Sequence, residues 1–303
     1  MITRDAARFF EFARSAATDF GPPCAKAVFM VSPLGFCLAE QSARDNRYMQ
    51  MAQSVDAQQA IAEHLALQQA IRAHCPVICF PGDAATPDAV FPNNVFATAP
   101  GISIIGHMRH PIRQHEAQRR DIRHFFTDAM AYREIDLSTQ PGICELTGSL
   151  IIDRARGLGY CGLSERCDQA GAVAMHEAFG LRATLLFDLA DTEYHTNVVL
   201  SILASRAAVI APSGFADAGV AAAIAGFYQP AVIELSAAQK ADYAGNCIAL
   251  SDKALFLSER AHDSLTIPQR MHFERMDFEL VAVPMPTLEK AGGSLRCCIG
   301  EIF

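Results

Sequence analysis

Gly148–Ser164, with the sequence GSLIIDRARGLGYCGLS, consists of two short apolar runs joined by a polar, glycine-containing turn. Strands that lie so close together along a chain pair antiparallel, so this segment predicts a β-hairpin. Three more segments share this organisation: Asn94–Gly106 (NVFATAPGISIIG), Asn197–Pro212 (NVVLSILASRAAVIAP) and Asn246–Glu259 (NCIALSDKALFLSE). Four hairpins argue against a doubly wound parallel sheet, in which long crossovers separate successive strands.

The hairpins recur at a nearly constant interval. Their first residues lie 54, 49 and 49 residues apart, and 51 more residues lead from Asn246 to Cys297. The last apolar run, Cys297–Phe303, has no partner after it, and the first, Ala27–Ser32, has no partner before it. Pairing these two runs would complete a fifth unit and close the repeats into a ring.

Helical patterns occupy the intervals between the hairpins. Asp56–His74 has apolar residues at a spacing of three and four, with Asp56 as its N-terminal cap. Weaker patterns cover Ile112–Phe126, Asp168–Gly180, Asp217–Gly226 and Ser236–Tyr243. The alternation predicts an α/β fold of five ββαβ units around an axis. We therefore expect an N-terminal extension at residues 1–26 and a single propeller domain at residues 27–303.

The amino-acid composition limits the kinds of molecule that the protein can bind. Hydrophobic residues make up 51% of the 303 residues and charged residues 19%, which is enough apolar material for a large core. The balance of 33 acids against 25 bases gives a net charge of −8. Binding to nucleic acid or to an anionic membrane is disfavoured, because nothing neutralises phosphates in bulk. No apolar run reaches the roughly 18–20 residues that span a bilayer.

The ten cysteines lie mostly inside apolar runs. We expect at least eight of them to be small buried residues in a reducing, cytoplasmic compartment. Cys75 and Cys79 have a spacing found in metal sites, but no second cysteine pair completes a zinc site. Val31–Phe36 (VSPLGF) is neither a P-loop nor a dinucleotide fingerprint. We predict no metal, no cofactor and a small-molecule substrate as partner, and leave a homodimer open.

If the units surround an axis, their first residues lie at the same end of it. The polar residues at these positions are Asn93, Asn94, Glu145, His195, Asn197, Asn246 and Cys297. A cysteine, a histidine and a carboxylate at one rim would supply a nucleophile, an acid–base and an orienting group.

Four segments in these regions resemble the amidinotransferase and amidine-hydrolase superfamily, and the citrulline-utilisation hydrolases in particular. They are Pro87–Asn94 (PDAVFPNN), Glu145–Leu150 (ELTGSL) followed by Leu163–Arg166 (LSER), Tyr194–Val198 (YHTNV) and Gly292–Cys298 (GGSLRCC). The resemblance covers nearly the whole chain. It implies the five-bladed α/β propeller known as the pentein fold, in agreement with the repeat.

The resemblance also implies roles for single residues. Cys297 corresponds to the nucleophile, His195 to the general acid–base, and Glu145 to the carboxylate that holds the substrate nitrogens. The implied substrate-binding residues are Asp88, Asn93, Asn94 and Asn197.

Five positions are informative in comparison with the relatives. Asn94 and Asn197 stand where arginine deiminases carry aspartates that bind a guanidinium, and Asp88 matches an acidic position shared with dimethylarginine hydrolases. Leu146 stands where a glycine is usual. Ser32 replaces a usual arginine, so the resemblance offers no contact to a substrate carboxylate there.

The amides favour one substrate class. An asparagine NH2 group can donate to the carbonyl oxygen of a neutral ureido group, which an ionised aspartate cannot do. We therefore expect hydrolysis of citrulline to ornithine, ammonia and carbon dioxide. Two alternatives stay open. One is a guanidine-directed arginine deiminase, dimethylarginine hydrolase or amidinotransferase, and the other is a non-catalytic propeller that only binds.

A basic cluster precedes the second hairpin. Its members are Arg109, Arg113, Arg119, Arg120 and Arg123. We expect a solvated helix face, one member of which could reach the carboxylate of an amino-acid substrate.

Overall fold

The computed structural model describes residues 1–303 and contains sixteen β-strands in five separate sheets. The strands are β1 Ile2–Thr3, β2 Ala27–Val31, β3 Val77–Phe80, β4 Phe96–Ala99, β5 Ile102–Ile105, β6 Arg133–Asp136, β7 Leu150–Asp153, β8 Leu158–Leu163, β9 Ala183–Asp188, β10 Leu200–Leu203, β11 Ala207–Ile210, β12 Val232–Glu234, β13 Ile248–Ala249, β14 Ala254–Ser258, β15 Glu279–Val283 and β16 Gly300–Ile302.

Ten α-helices and several single helical turns connect the strands. The α-helices are α1 Ala6–Ser15, α2 Ala57–Arg72, α3 Pro111–Gln114, α4 Arg120–His124, α5 Leu146–Ser149, α6 Gln169–Ala178, α7 Ala218–Tyr228, α8 Ala237–Ala241, α9 Glu259–Ser264 and α10 Ile267–Arg275. The 3-10 turns are Ser42–Arg44, Pro87–Val90, Pro92–Asn94, Glu116–Gln118, Thr196–Val198, Pro212–Gly214, Leu288–Lys290 and Leu295–Cys298, and Phe125–Ala129 forms a π-turn.

The five sheets are the blades of a five-bladed α/β propeller. Each blade pairs its first and second strands antiparallel and its second and third strands parallel, with helices in the crossover. The strand orders are β16-β2-β3, β4-β5-β6, β7-β8-β9, β10-β11-β12 and β13-β14-β15. First strands of neighbouring blades contact one another, which places them next to the axis. The predicted ββαβ repeat is therefore confirmed, and the parallel open sheet is excluded.

The ring closes as the unpaired apolar runs predicted. Strand β16 pairs antiparallel with β2, matching Gly300 with Phe29 and Ile302 with Ala27. One detail differs from the sequence prediction. Cys297 does not begin the strand but lies in the preceding 3-10 turn, and Asn94 and Asn197 lie in equivalent turns.

The helices that connect the strands within each blade lie where the sequence predicts them, apart from two differences. Asp56 caps α2 by accepting hydrogen bonds from the backbone N–H groups of Gln58 and Gln59. The segment 112–126 is not one helix, because it breaks into α3, a 3-10 turn and α4. In the fifth blade the crossover consists of α9 and α10, which the periodicity did not reveal.

Residues 1–26 pack onto the propeller. Strand β1 adds to the edge of the third blade by pairing parallel with β9. Helix α1 buries Phe9, Phe10 and Ala13 in the largest apolar cluster, together with residues of the third and fourth blades.

The cysteines are less uniformly buried than expected. Six are buried, whereas Cys24 and Cys75 are half-buried and Cys37 and Cys79 are exposed. All ten are free thiols. No helix is both long and apolar enough to cross a bilayer.

Candidate active site

The helical turns that precede the first strands carry the predicted site, and side chains join these turns around the axis. Thr147 donates to the carbonyl of Asn93 (3.0 Å), and Thr196 donates to the carbonyl of Ser149 (2.6 Å). The Asn246 amide donates to the carbonyl of Asn197 (3.0 Å). Because each bond joins one blade to the next, the site residues are held in a fixed ring.

Glu145 and His195 form a buried pair. His195 Nε2 lies 2.8 Å from Glu145 Oε2, and both residues have no exposed surface. Arg166 Nη1 also donates to Glu145 Oε2 (3.1 Å), and the backbone N–H of Arg109 donates to Oε1 (3.1 Å). Both carboxylate oxygens are therefore engaged by the protein. This arrangement favours an orienting role for Glu145 over a direct hold on substrate nitrogens.

The charges of this pair follow from its surroundings. Burial opposes the ionisation of Glu145, but the Arg166 charge and the His195 hydrogen bond outweigh it and hold the pKa of the carboxyl well below its usual range. Burial lowers the pKa of His195 below its usual value, against the opposing effect of Glu145. An ionised Glu145 beside a neutral His195 requires Nε2 to carry the proton. Nδ1, which is buried and has no protein partner, is then the free base.

Two asparagine amides surround the sulfur of Cys297. Asn246 Nδ2 lies 3.3 Å from Cys297 Sγ, and Asn197 Nδ2 lies 3.6 Å away. The Asn246 side chain is fixed because its Oδ1 accepts the backbone N–H of Arg296 (3.1 Å). Amide N–H groups directed at a sulfur stabilise its thiolate form, which is the nucleophilic form of cysteine.

A small cavity of about 20 Å³ joins these groups at the axis. Its lining residues are Ser42, Asn46, Asp88, Phe91, Asn94, Arg113, Arg166, Tyr194, His195, Ala291, Gly293 and Cys297. Of the predicted site residues, Asp88, Asn94, His195 and Cys297 line it directly. Glu145 and Asn197 lie behind this surface and touch it through His195 and Cys297, whereas Asn93 contacts Thr147, which does not line the cavity.

Asp88 is the carboxylate that lines the cavity. Its side chain is buried, accepts a short hydrogen bond from the Ser42 hydroxyl on one oxygen, and forms no salt bridge. Burial raises the pKa of Asp88, although the nearby Arg113 acts in the opposite direction. A cation bound in the cavity would favour the ionised carboxylate.

Asn93 and Asn94 differ in position although they are neighbours. Asn93 Nδ2 contacts Thr147 Oγ1 (3.4 Å), whereas Asn94 lines the cavity. The Oδ1 atoms of both are buried without a protein partner. Gly148 lies against this group, since a Cβ atom there would meet Asn94 Oδ1 at 2.6 Å and His195 Nδ1 at 2.9 Å.

Leu146 and Ser32 replace residues that are usual among the relatives, and the structure shows the setting of each. Leu146, at the usual glycine position, has a φ of 22°, in the region that favours glycine. Ser32 does not line the cavity, and its hydroxyl accepts the backbone N–H of Gly82 (2.9 Å).

Arg113 corrects the prediction of a solvated basic face. It is only 3% exposed, and its guanidinium forms a two-point ion pair with Glu116 at 2.9 and 2.8 Å. Its Nη2 also donates to the carbonyl oxygens of Asp88 and Phe91, whereas Nη1 has no protein partner. Arg113 therefore holds the Asp88 turn and lines the cavity at the same time.

Sequence reasoning missed the residues that the segment 33–55 brings to the site. Ser42 and Asn46 line the cavity, and Asp45 accepts hydrogen bonds from Arg166 Nη2 (2.6 Å) and Nε (2.9 Å). This segment lies outside the repeat, so no periodicity marked its residues. A half-buried aspartate that holds the arginine of the Glu145 pair has no signature in the sequence.

The sequence predicts no bound metal, and the arrangement of ligand-type side chains in the structure bears on that prediction. Nowhere in the structure do three or more histidine, cysteine, aspartate or glutamate side chains come together as metal ligands would. The cavity polar groups are instead amides, arginines, a carboxylate, an imidazole and a thiol.

Comparison with known families gives one match that covers most of the chain. The model of the family described as N,N dimethylarginine dimethylhydrolase, eukaryotic, matches residues 32–303. No curated protein sequence matches the chain significantly.

Solved structures share the fold at low sequence identity. The N-terminal domain of ArgZ, an arginine dihydrolase from the ornithine-ammonia cycle in cyanobacteria, is 17% identical with a TM-score of 0.79, covering 91% of this chain and 97% of that domain. AgrE, solved with ornithine and NAD+, is 18% identical with a TM-score of 0.79, covering 91% of this chain and 39% of AgrE. A dimethylarginine dimethylaminohydrolase in adduct with S-methyl-L-thiocitrulline is 19% identical with a TM-score of 0.71, covering 92% of this chain and all of that one.

Proposed function

The chain belongs to the family described as N,N dimethylarginine dimethylhydrolase, eukaryotic, whose members cleave amidine-type C–N bonds, and we propose that its substrate is the guanidino group of arginine or an N-methylated arginine. The product of either substrate would be citrulline, released with ammonia or a methylamine. This proposal places the guanidine-directed alternative ahead of citrulline hydrolysis.

The observation that carries the proposal is the buried carboxylate of Asp88, which lines the cavity of Cys297 and forms no salt bridge. A guanidinium would supply the positive charge and the N–H donors that this carboxylate lacks. A neutral ureido group would supply donors but no charge. The match between the substrate charge and the Asp88 carboxylate therefore favours a guanidine.

The residues can divide the reaction into two steps. Cys297 transfers its proton to His195 Nδ1, and the thiolate attacks the guanidino carbon to form a C–S bond. His195 returns the proton to the departing nitrogen as the C–N bond breaks. Water then adds to the carbon and gives a proton to Nδ1. The C–S bond breaks as the new hydroxyl group loses its proton to solvent, which releases citrulline, and the Cys297 thiolate takes back the proton from His195 Nδ1.

Neighbouring residues support each proton transfer. The bond from Nε2–H to Glu145 keeps the His195 ring in the orientation and tautomer that leave Nδ1 free. Asn197 and Asn246 stabilise negative charge on the sulfur. Arg113 Nη1 is the donor available to the substrate carboxylate, since its other nitrogens are bonded within the protein.

A second candidate, hydrolysis of citrulline to ornithine, ammonia and carbon dioxide, is favoured by the amides. Asn94 lines the cavity with a buried Oδ1 that has no partner, and its amide can present either a donor or an acceptor. A ureido group has both an oxygen and N–H groups to meet it. The intact Cys297, His195 and Glu145 speak against the third alternative, a propeller that only binds.

Substrate turnover separates the candidates. The protein is incubated with arginine, N,N-dimethylarginine or citrulline at equal concentrations, and citrulline, ornithine, ammonia and dimethylamine are quantified. We expect citrulline from the guanidines, and loss of all turnover in Cys297→Ser because a hydroxyl ionises far less than a thiol. The control Cys298→Ala, at the adjacent thiol, should keep its activity.

A separate variant tests whether the negative charge of Asp88 contributes to substrate binding. Asp88→Asn should raise the KM for the guanidine about tenfold or more, since a charge-assisted hydrogen bond becomes a neutral one. Ornithine formed from citrulline, with both guanidines unchanged, would replace the first candidate by the second. Full activity of Cys297→Ser would overturn both.

A further inference from the structure

A second cavity lies at the axis, behind the turn that carries Cys297, and shares no lining residue with the first. Its volume is about 40 Å³, and its charged lining residues are Arg154, Arg296 and Glu301. We propose that it binds a small planar oxyanion, a carboxylate or bicarbonate, on the guanidinium of Arg154. This inference does not depend on the proposed reaction.

Arg154 is a buried cation without a counter-ion. It is 8% exposed, forms no salt bridge, and makes one hydrogen bond, from Nη1 to the carbonyl of Thr98 (3.2 Å). One face of its guanidinium lies over the ring of Phe303, with Cζ 4.0 Å from the ring centre. Burial lowers the pKa of Arg154 to about 10, although the charge of Glu301 acts in the opposite direction. An uncompensated buried charge is unfavourable, and a bound anion would remove that cost.

The nitrogens of the Arg154 guanidinium that make no hydrogen bond determine which shape of anion can bind. Nε and Nη2 make no hydrogen bond to the protein, and these two nitrogens form the side of the guanidinium that pairs with two oxygens of a planar anion. The stacked Phe303 ring holds the plane of the group. Two parallel donors favour a carboxylate or bicarbonate over a spherical ion such as chloride.

The remaining charges leave the cavity positive. Arg296 Nη2 pairs with Glu301 Oε2 at 2.8 Å, so these two groups offset each other. Arg154 is not neutralised and supplies the net charge. The contrast between the two arginines, one paired and one unpaired in the same cavity, identifies Arg154 as the anion-binding group.

Formate is a suitable probe, because it is the smallest planar carboxylate. The intact protein is titrated with sodium formate at constant ionic strength, with sodium chloride as the replaced salt, and the melting temperature is followed. A ligand that binds only the folded state raises it in a saturable way. We expect this rise in the wild type and in Arg133→Met, which removes an exposed arginine with no ion pair.

Two variants of Arg154 test the site. Arg154→Met should abolish the formate-dependent rise. Arg154→Lys keeps the charge but loses the forked pair of donors, and should weaken formate binding about tenfold or more. If the methionine variant fails to fold, the lysine variant decides the question. No saturable rise in the wild type, or the same rise in a folded Arg154 variant, would overturn the proposal.

Discussion

Glu145 illustrates how a single buried charge organises the site. Its carboxylate is fully enclosed, yet Arg166, His195 and a backbone N–H group together keep it ionised. Arg166 is in turn held by Asp45. The chain Asp45–Arg166–Glu145–His195 therefore fixes the imidazole from behind, and leaves Nδ1 as the one ring nitrogen that faces no protein partner.

Replacing Glu145 with glutamine should change both the rate and the pH profile. The amide is nearly isosteric but uncharged, so the imidazolium that forms during turnover loses its stabilising partner, and kcat should fall about 100-fold or more. In the wild type the acidic limb of kcat/KM should lie below the usual histidine pKa, because the pKa of His195 is lowered. Since Glu145 raises that pKa, its removal should move the limb to still lower pH.

The measurement is kcat/KM against pH for the wild type and Glu145→Gln. Glu165→Gln is the matched control, because Glu165 pairs with Arg109 at the surface and does not line the cavity. A glutamine variant with an unshifted limb and an unchanged kcat would contradict the orienting role of Glu145.

The helical turns before the first strands are the elements that carry the candidate site residues. A strand would send successive side chains to opposite faces, whereas a turn can direct several polar side chains towards the axis. The turn at Leu146–Ser149 also requires a residue without a side chain at position 148. Gly148 must lack a side chain because Asn94 and His195 occupy the space beside it.

Gly148→Ala should therefore impair catalysis. The added Cβ would lie 2.6 Å from Asn94 Oδ1 and 2.9 Å from two atoms of the His195 ring, so the imidazole must move. We expect kcat to fall at least about tenfold, because small misplacements of a catalytic group are costly. Kinetics and thermal unfolding are measured together.

Gly226→Ala provides the matched control in helix α7, where nothing lies within 4 Å of the new Cβ. This change should leave kcat intact and stabilise the protein by up to about 1 kcal/mol. Equal kinetics for Gly148→Ala and the wild type would show that His195 tolerates displacement.

In the whole molecule, closure of the ring brings the site together. Cys297 reaches the other site residues because β16 pairs with β2, strands separated by nearly the whole propeller in sequence. Thr98 strengthens this closure by donating to the carbonyl of Glu301 (2.9 Å) and accepting the N–H of Phe303 (3.0 Å). The site residues therefore share the stability of the ring.

Deletion of residues 1–26 tests whether the ring is a domain by itself. We expect the five blades and the activity to survive, because all fifteen strands of the ring lie within residues 27–303. The free energy of unfolding should fall by about 3–6 kcal/mol, since Phe9 and Phe10 leave the core and each contributes about 1.5–3 kcal/mol. Urea unfolding and turnover are the measurements.

The double variant Phe9→Ala/Phe10→Ala in the full chain should reproduce most of this loss. A truncated protein without cooperative unfolding would show that α1 belongs to the fold and that residues 27–303 are not a separate domain.

The hairpins, the ring closure and the cluster of Cys297, His195 and Glu145 could be predicted from the order of residues. Strand pairing over a short turn depends on local hydrophobic patterning, and a repeat of constant length extends that pattern to the whole chain. The motifs then fall at equivalent places in successive units.

The partners of buried charges required the folded ring. Arg113 belongs to a basic stretch that the sequence predicts to be a solvated helix face, but it is buried against Glu116. Arg166 binds Asp45, which comes from a segment outside the repeat. Arg154 is buried without a salt bridge. Side-chain type gives the charge of each group, but its neighbours come from distant blades, and those neighbours set its pKa, its orientation and its access to a ligand.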